Sequence, residues 1–124
     1  GELDMGLVNH YYTYRFLAED PSLPSRNHQF ADGDIGNLVI PSSVSVLASS
    51  DQQEDAQAFV DFLLTEESQA YFAEETYEYP LVEGVPTAEG VPPLSSLRPP
   101  AGERADELGD IEETGRMIAA SGLN

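Results

Sequence analysis

An α/β fold is predicted by two patterns that alternate along this 124-residue chain. Short apolar runs, Leu3 to Val8, Asn37 to Ile40 and Val44 to Ala48, have the length and residue types of extended segments. Elsewhere apolar residues recur at helical spacing behind capping residues. A length sufficient for one domain and an apolar content of 40% argue for a folded globular chain rather than disorder.

Leu3 to Val8 is read as a short buried strand that delivers Tyr11 and Tyr12 to a corner, where a helix runs to about Glu19. Asp20-Pro21-Ser22-Leu23-Pro24 stops it, because proline cannot continue the helical hydrogen-bond ladder. Tyr12, Phe16 and Glu19 share one side of this helix, and Tyr11, Tyr14, Arg15 and Ala18 another. Tyr14 is read as a core or rim aromatic and Arg15 as a surface residue. Residues 25–34 form a polar loop. Asp32-Gly33-Asp34-Ile35-Gly36-Asn37 has a calcium-loop look, but Asn37 and Ser43 stand where an EF-hand requires Gly and Glu, so a turn is expected. Pro41 between two extended runs argues for a kink or an edge.

Ser50 and Gln53 form a capping-box pattern opening a helix with Ala56, Phe59, Val60, Leu63 and Leu64 on one face. A further helix is expected from about Thr65, its dipole favoured by Glu66 and Glu67, with Tyr71 and Phe72 in the core. Tyr77 to Val82 alternates and ends beside proline, so it is extended, with Tyr77 and Tyr79 packing or crossing between layers. Prolines between Val85 and Pro100 preclude a regular element and describe a surface strap. Asp110 and Glu113 make a second capping box before a last helix. Ile111, Met117 and Ile118 are expected to face inward there, Gly115 to weaken it and Gly122 to end it.

Composition excludes several roles. The formal net charge is −18, from 5 basic residues, all arginine, against 23 acidic ones. Nucleic-acid binding needs a basic footprint that releases counterions, and none exists. Attraction to an anionic membrane fails for the same reason, and no apolar run approaches the ~20 residues of a transmembrane helix. Without cysteine there is no disulfide, thiolate metal site or thiol nucleophile. No nucleophile with a nearby base and no phosphate-cradling glycine loop is present, so the chain is not read as an enzyme.

Asn9-His10-Tyr11-Tyr12 concentrates the remaining chemistry. Neighbouring helical residues point about 100° apart, so adjacent tyrosines are an odd choice for packing alone. At a corner both hydroxyls can converge on one point. Phenolate oxygen is a hard donor suited to a highly charged cation, and a bound cation removes the proton that a phenol otherwise keeps until pH ~10. On spacing alone, two rim aromatics, one buried and one exposed, are the favoured account of the pair, because adjacent tyrosines are a weak motif. Asn9 stands where an asparagine often caps the following helix. His10 sits beside the pair, but its side chain should point away from their common target, which makes it structural or solvent-facing. His28 lies in a polar loop and is not read as a ligand.

Asn9-His10-Tyr11-Tyr12-Thr13-Tyr14-Arg15-Phe16 resembles the twin-tyrosine segment of bacterial ferric-iron-binding proteins, the solute receptors of ABC iron importers. The resemblance continues through Phe30 to Asp34 and Val46 to Ser50, and is strongest in Phe72-Ala73-Glu74-Glu75-Thr76-Tyr77-Glu78-Tyr79-Pro80-Leu81-Val82. It implies part of a two-lobed periplasmic-binding-protein fold, incomplete in this chain, which would be the C-terminal portion of an extracytoplasmic receptor, periplasmic or lipid-anchored. Residues 1–41 would belong to the second lobe, 42–91 to a return through the first, and 92–124 to a strap and helix back on the second. Tyr11 and Tyr12 would be Fe3+ ligands and Asn9 would help hold a synergistic anion, phosphate or carbonate. The implied partners are ferric ion, the importer permease and the remaining N-terminal part of the same receptor. Two other readings stay open: a receptor of the same fold for an organic cation or sugar, whose paired aromatics would stack on the solute, and an acidic interaction domain whose tyrosines merely pack.

Overall fold

The computed structural model describes residues 3–101 and 109–122. Four helices are present among them: α1 (His10–Glu19), α2 (Gln53–Leu63), α3 (Glu66–Thr76) and α4 (Ile111–Ser121). Single 3-10 turns occupy Ile35–Asn37 and Leu94–Ser96. Two compact units emerge, one from Gly1–Gln29 with Ser42–Leu97, the other from Phe30–Pro41 with Arg98–Asn124.

The strand half of the α/β expectation is not realised among the described residues. Leu3 to Val8, Asn37 to Ile40 and Val44 to Ala48 contain no strand residues. A strand exists only when its N–H and C=O groups meet a neighbouring strand, and no such ladder forms here. Leu3, Met5, Leu7 and Val8 are correspondingly exposed instead of buried.

In the first unit, α2 and α3 form a helical hairpin. The capping box anticipated at Ser50 does not form: α2 starts at Gln53, its N-cap Gln52 makes no side-chain cap, and the Ser50 hydroxyl accepts from the Gln52 N–H at 3.2 Å. The Gln53 amide instead donates to the Ala48 carbonyl at 3.1 Å, closing the preceding turn. The α3 start is as anticipated, with the Thr65 hydroxyl accepting from the Ser68 N–H and Glu66 and Glu67 in the first turn. Ala73 is fully buried, at 0% exposure. Phe72 is half-buried, whereas Tyr71 is 60% exposed, which corrects its expected core position. One residue along a helix is a turn of about 100°, and Ala73 with Gln69 takes the inward face.

Gln69, only 7% exposed, is a cross-link. Its Nε2 donates to the Leu63 carbonyl at 2.8 Å, and its Oε1 accepts from the Leu81 N–H at 2.7 Å. One amide thus satisfies an orphan carbonyl at the end of α2 and fixes the chain after α3. Helix α3 ends at Tyr77, whose φ of 61° and ψ of 23° are left-handed. That conformation costs a side-chain-bearing residue about 1–2 kcal/mol. The left-handed step turns residues 77–82 back toward α1.

In the second unit, the Asn37 amide donates to the Ala31 carbonyl at 2.8 Å and to the Arg98 carbonyl at 3.3 Å, while the Gly33 N–H donates to Arg98 at 3.0 Å. The Asp34 carboxylate accepts from the Gly36 N–H at 2.7 Å, so the calcium-like stretch is a turn, as read. Gly36 lies under the Phe30 ring, where a Cβ would come within 2.5 Å of Cδ2. Asp110 caps α4 by accepting from the Glu112 and Glu113 N–H groups, and Gly122 ends it with φ 76°. Ile111, Met117 and Ile118 do not face inward; they are exposed at 87%, 67% and 49%. Their amphipathic spacing makes a helix stripe but does not by itself supply a surface to cover it.

Candidate functional site

The twin tyrosines sit in the first turn of α1, behind Asn9 at its N-cap. Asn9 has extended backbone (φ −65°, ψ 140°) and makes no side-chain cap to the helix. Its Nδ2 donates instead to the Tyr11 hydroxyl oxygen at 2.9 Å. That hydroxyl oxygen is thereby held by the residue at the N-cap of the same helix. Tyr11 and Tyr12 lie side by side, ring centroids 4.7 Å apart and planes tilted by 51°. Tyr11 is half-buried and Tyr12 is 41% exposed. The three residues singled out from the sequence, Asn9, Tyr11 and Tyr12, thus lie together at one end of one helix.

Behind the pair is an aromatic cluster. His10 stacks on Tyr79 with centroids 4.6 Å apart and planes 29° apart, and meets the Tyr11 ring edge-on at 5.5 Å and 73°. Tyr14, one turn further, stacks on Tyr77 at 5.9 Å and 21°. His10 Nε2 lies 2.9 Å from the Tyr77 carbonyl oxygen. A carbonyl only accepts, so Nε2 carries the proton and donates. The His10 backbone carbonyl in turn accepts from the Asn27 Nδ2 at 2.9 Å. Of the two positions left open for His10, the structure adopts the structural one, and Tyr14, Tyr77 and Tyr79 pack as expected. Arg15 is on the surface.

Burial penalises the phenolate of Tyr79, and the nearby Tyr14 adds to this, so the Tyr79 phenol is held above its ordinary range. Tyr79 is thereby kept neutral, a packing partner rather than an anionic donor. The importance of Asn27 and of the Tyr77 carbonyl was not visible in the sequence. Asn27 carried only the signal of a polar loop residue, and a main-chain oxygen 67 residues from His10 has no sequence signature.

Among the described residues no group of three or more His, Cys, Asp or Glu is arranged to hold a metal ion. No helix among them is long and apolar enough to cross a membrane.

Residues 2–105 match the family model described as bacterial extracellular solute-binding protein. The chain belongs to that family. This solute-binding chain is similar to the major ferric iron-binding protein of Neisseria meningitidis serogroup B, at 30% identity over 99% of the chain and 38% of the relative. It is similar also to iron uptake protein A1 of Synechocystis, at 35% identity over 73% of the chain and 27% of that protein. A third relative is the Fe(3+)-binding periplasmic protein of Serratia marcescens, at 30% identity over 81% of the chain and 30% of that protein. The chain therefore spans well under half the length of these relatives. No solved structure matches it significantly. The family is one of solute-binding transport proteins, not of enzymes.

Proposed function

We propose that this chain is the C-terminal part of an extracytoplasmic receptor that binds ferric ion for import by an ABC transporter. Tyr11 and Tyr12 supply phenolate oxygens to the Fe3+ cargo, and Asn9 helps hold a synergistic anion, phosphate or carbonate. The observation that carries this reading is the side-by-side pair of phenols at the start of α1, one of them already receiving the Asn9 amide. Hard trivalent iron prefers oxygen donors, and its charge exceeds that of two phenolates by one, which leaves a positive charge for an anion to balance. An amide nitrogen bears two hydrogens. One is spent on the Tyr11 oxygen, and the second is available to an anion beside the metal.

The names of the relatives support iron as the solute, and the family supports a role ahead of an importer permease. The receptor is a two-lobed α/β molecule in this reading, and this chain carries part of it. The remaining N-terminal part of the receptor contributes the other ligands, and closure of the lobes around the ion prepares the surface that the permease meets.

The test is to add ferric ion with phosphate or citrate to the full-length receptor and look for the visible phenolate-to-iron charge-transfer band. Tyr11→Phe and Tyr12→Phe are each expected to weaken the band. Each should lower affinity by more than the roughly 10-fold to 100-fold typical of losing an outer partner of a metal ligand. An absent band with protection by an organic cation or sugar overturns iron in favour of an organic solute. An absent band with no protection leaves the tyrosines as packing residues.

A further inference from the structure

His10 is the most connected side chain of the aromatic cluster, yet the iron chemistry assigns it nothing. Its ring is held on one face by Tyr79, at 4.6 Å, and at its tip by the Tyr77 carbonyl, at 2.9 Å. The Tyr11 ring rests edge-on against it at 5.5 Å. Its own carbonyl is held by Asn27. All these groups belong to the same compact unit. Tyr11 is thus fixed at both ends, by Asn9 on its oxygen and by His10 against its ring.

We propose that His10 is a positioning residue: through its Nε2–H bond to the Tyr77 carbonyl and its stack on Tyr79, it locks the Tyr11 ring in the orientation that the metal requires. The consequence for iron rests on the reading of Tyr11 as a ligand; the lock itself does not. A side chain frozen before binding loses no rotamer freedom when the ion arrives, and a donor set held within a fraction of an ångström binds more tightly than a mobile one. The anchor point is itself well defined, because the left-handed backbone at Tyr77 directs its carbonyl and Tyr14 stacks on its ring. Tyr12, by contrast, is 41% exposed and rests on the Tyr11 ring, so ordering Tyr11 also orders its neighbour.

Two variants of the full-length receptor separate the bond from the ring. His10→Phe keeps an aromatic ring for Tyr79 and Tyr11 but has no N–H for the Tyr77 carbonyl. His10→Gln places an amide N–H close to the position of Nε2 without the ring. In the iron-free wild type, nitrogen NMR should find the His10 proton on Nε2. In His10→Phe the ring resonances of labelled Tyr11 should move and broaden while those of the exposed Tyr71 stay in place; in His10→Gln the Tyr11 resonances should return toward wild type. In the ferric-loaded protein, His10→Phe should shift the charge-transfer band and lose iron to excess citrate about 10-fold to 100-fold faster than wild type. His10→Gln should recover most of that difference.

Unchanged Tyr11 resonances in His10→Phe overturn the proposal. So does equal damage in both variants with an equally lowered melting temperature, which would make His10 a packing residue only. A wild type without any charge-transfer band overturns the iron reading, and the iron-free resonances then decide the lock by themselves.

Discussion

At the residue scale, the cluster places tyrosines that are alike in sequence in different surroundings. Tyr11 has an N–H donor on its oxygen, whereas Tyr79 is half-buried against the His10 ring and pushed above the ordinary phenol range by desolvation and by Tyr14. The sign of the resulting pH dependence follows from which state holds the proton. Below about pH 10, the ordinary phenol value, Tyr79 is neutral both folded and unfolded, and its contribution is fully present. Above that pH the unfolded chain ionises first, so stability falls as pH rises toward the folded value. Tyr79→Phe has no proton to lose. Its urea midpoint is expected to fall less steeply between pH 9 and 11 than that of wild type, and parallel curves would exclude Tyr79 as the source. The twin tyrosines were legible in the sequence because adjacency is a local property and needs no tertiary knowledge. The exposed Tyr71 was not, since Tyr71 and Phe72 look equally apolar and only the inward phase of α3, set by Gln69 and Ala73, separates them.

At the element scale, α3 and α4 owe their starts to capping side chains, and the α2–α3 hairpin is cross-linked by one amide. Thr65 and Asp110 were readable as caps because the residue type and the acidic first turn coincide. Ser50 has the same signature and fails, since its hydroxyl is taken by the Gln52 N–H in a turn before α2 begins. Residue type alone does not decide between two nearby donors. Gln69 is buried and serves the Leu63 carbonyl and the Leu81 N–H together. Gln69→Leu keeps the volume and strands both groups. Because an unsatisfied buried group costs about 1–3 kcal/mol, the variant should lose roughly 2 kcal/mol or more in denaturant unfolding. Amide exchange at Leu81 should rise with it. A midpoint unchanged from wild type would show that water reaches both groups.

At the scale of the whole chain, the missing strands have a physical cause that patterning does not reveal. A period-2 or apolar run states only that a segment suits a sheet, and the sheet requires partners. Leu3, Met5, Leu7 and Val8, and Ile111, Met117 and Ile118 on α4, are apolar residues left exposed. Helices α1 to α3 need no such partner for their backbone bonds, which explains why they were legible. The tether from His10 to Tyr77 joins points 67 residues apart, whereas the Gln69 bond to Leu63 spans 6. Closing the longer loop costs about 2 kcal/mol more in chain entropy, on the (3/2)RT ln n scaling. The order of assembly expected from this is that the α2–α3 hairpin condenses early and α1 docks late, against Tyr77 and Tyr79. Pulsed hydrogen exchange during refolding should protect amides in α3 before those in α1, and His10→Phe should accelerate unfolding while leaving the refolding rate nearly unchanged. On this order the twin phenols acquire their shape after the hairpin does and lose it before the hairpin opens.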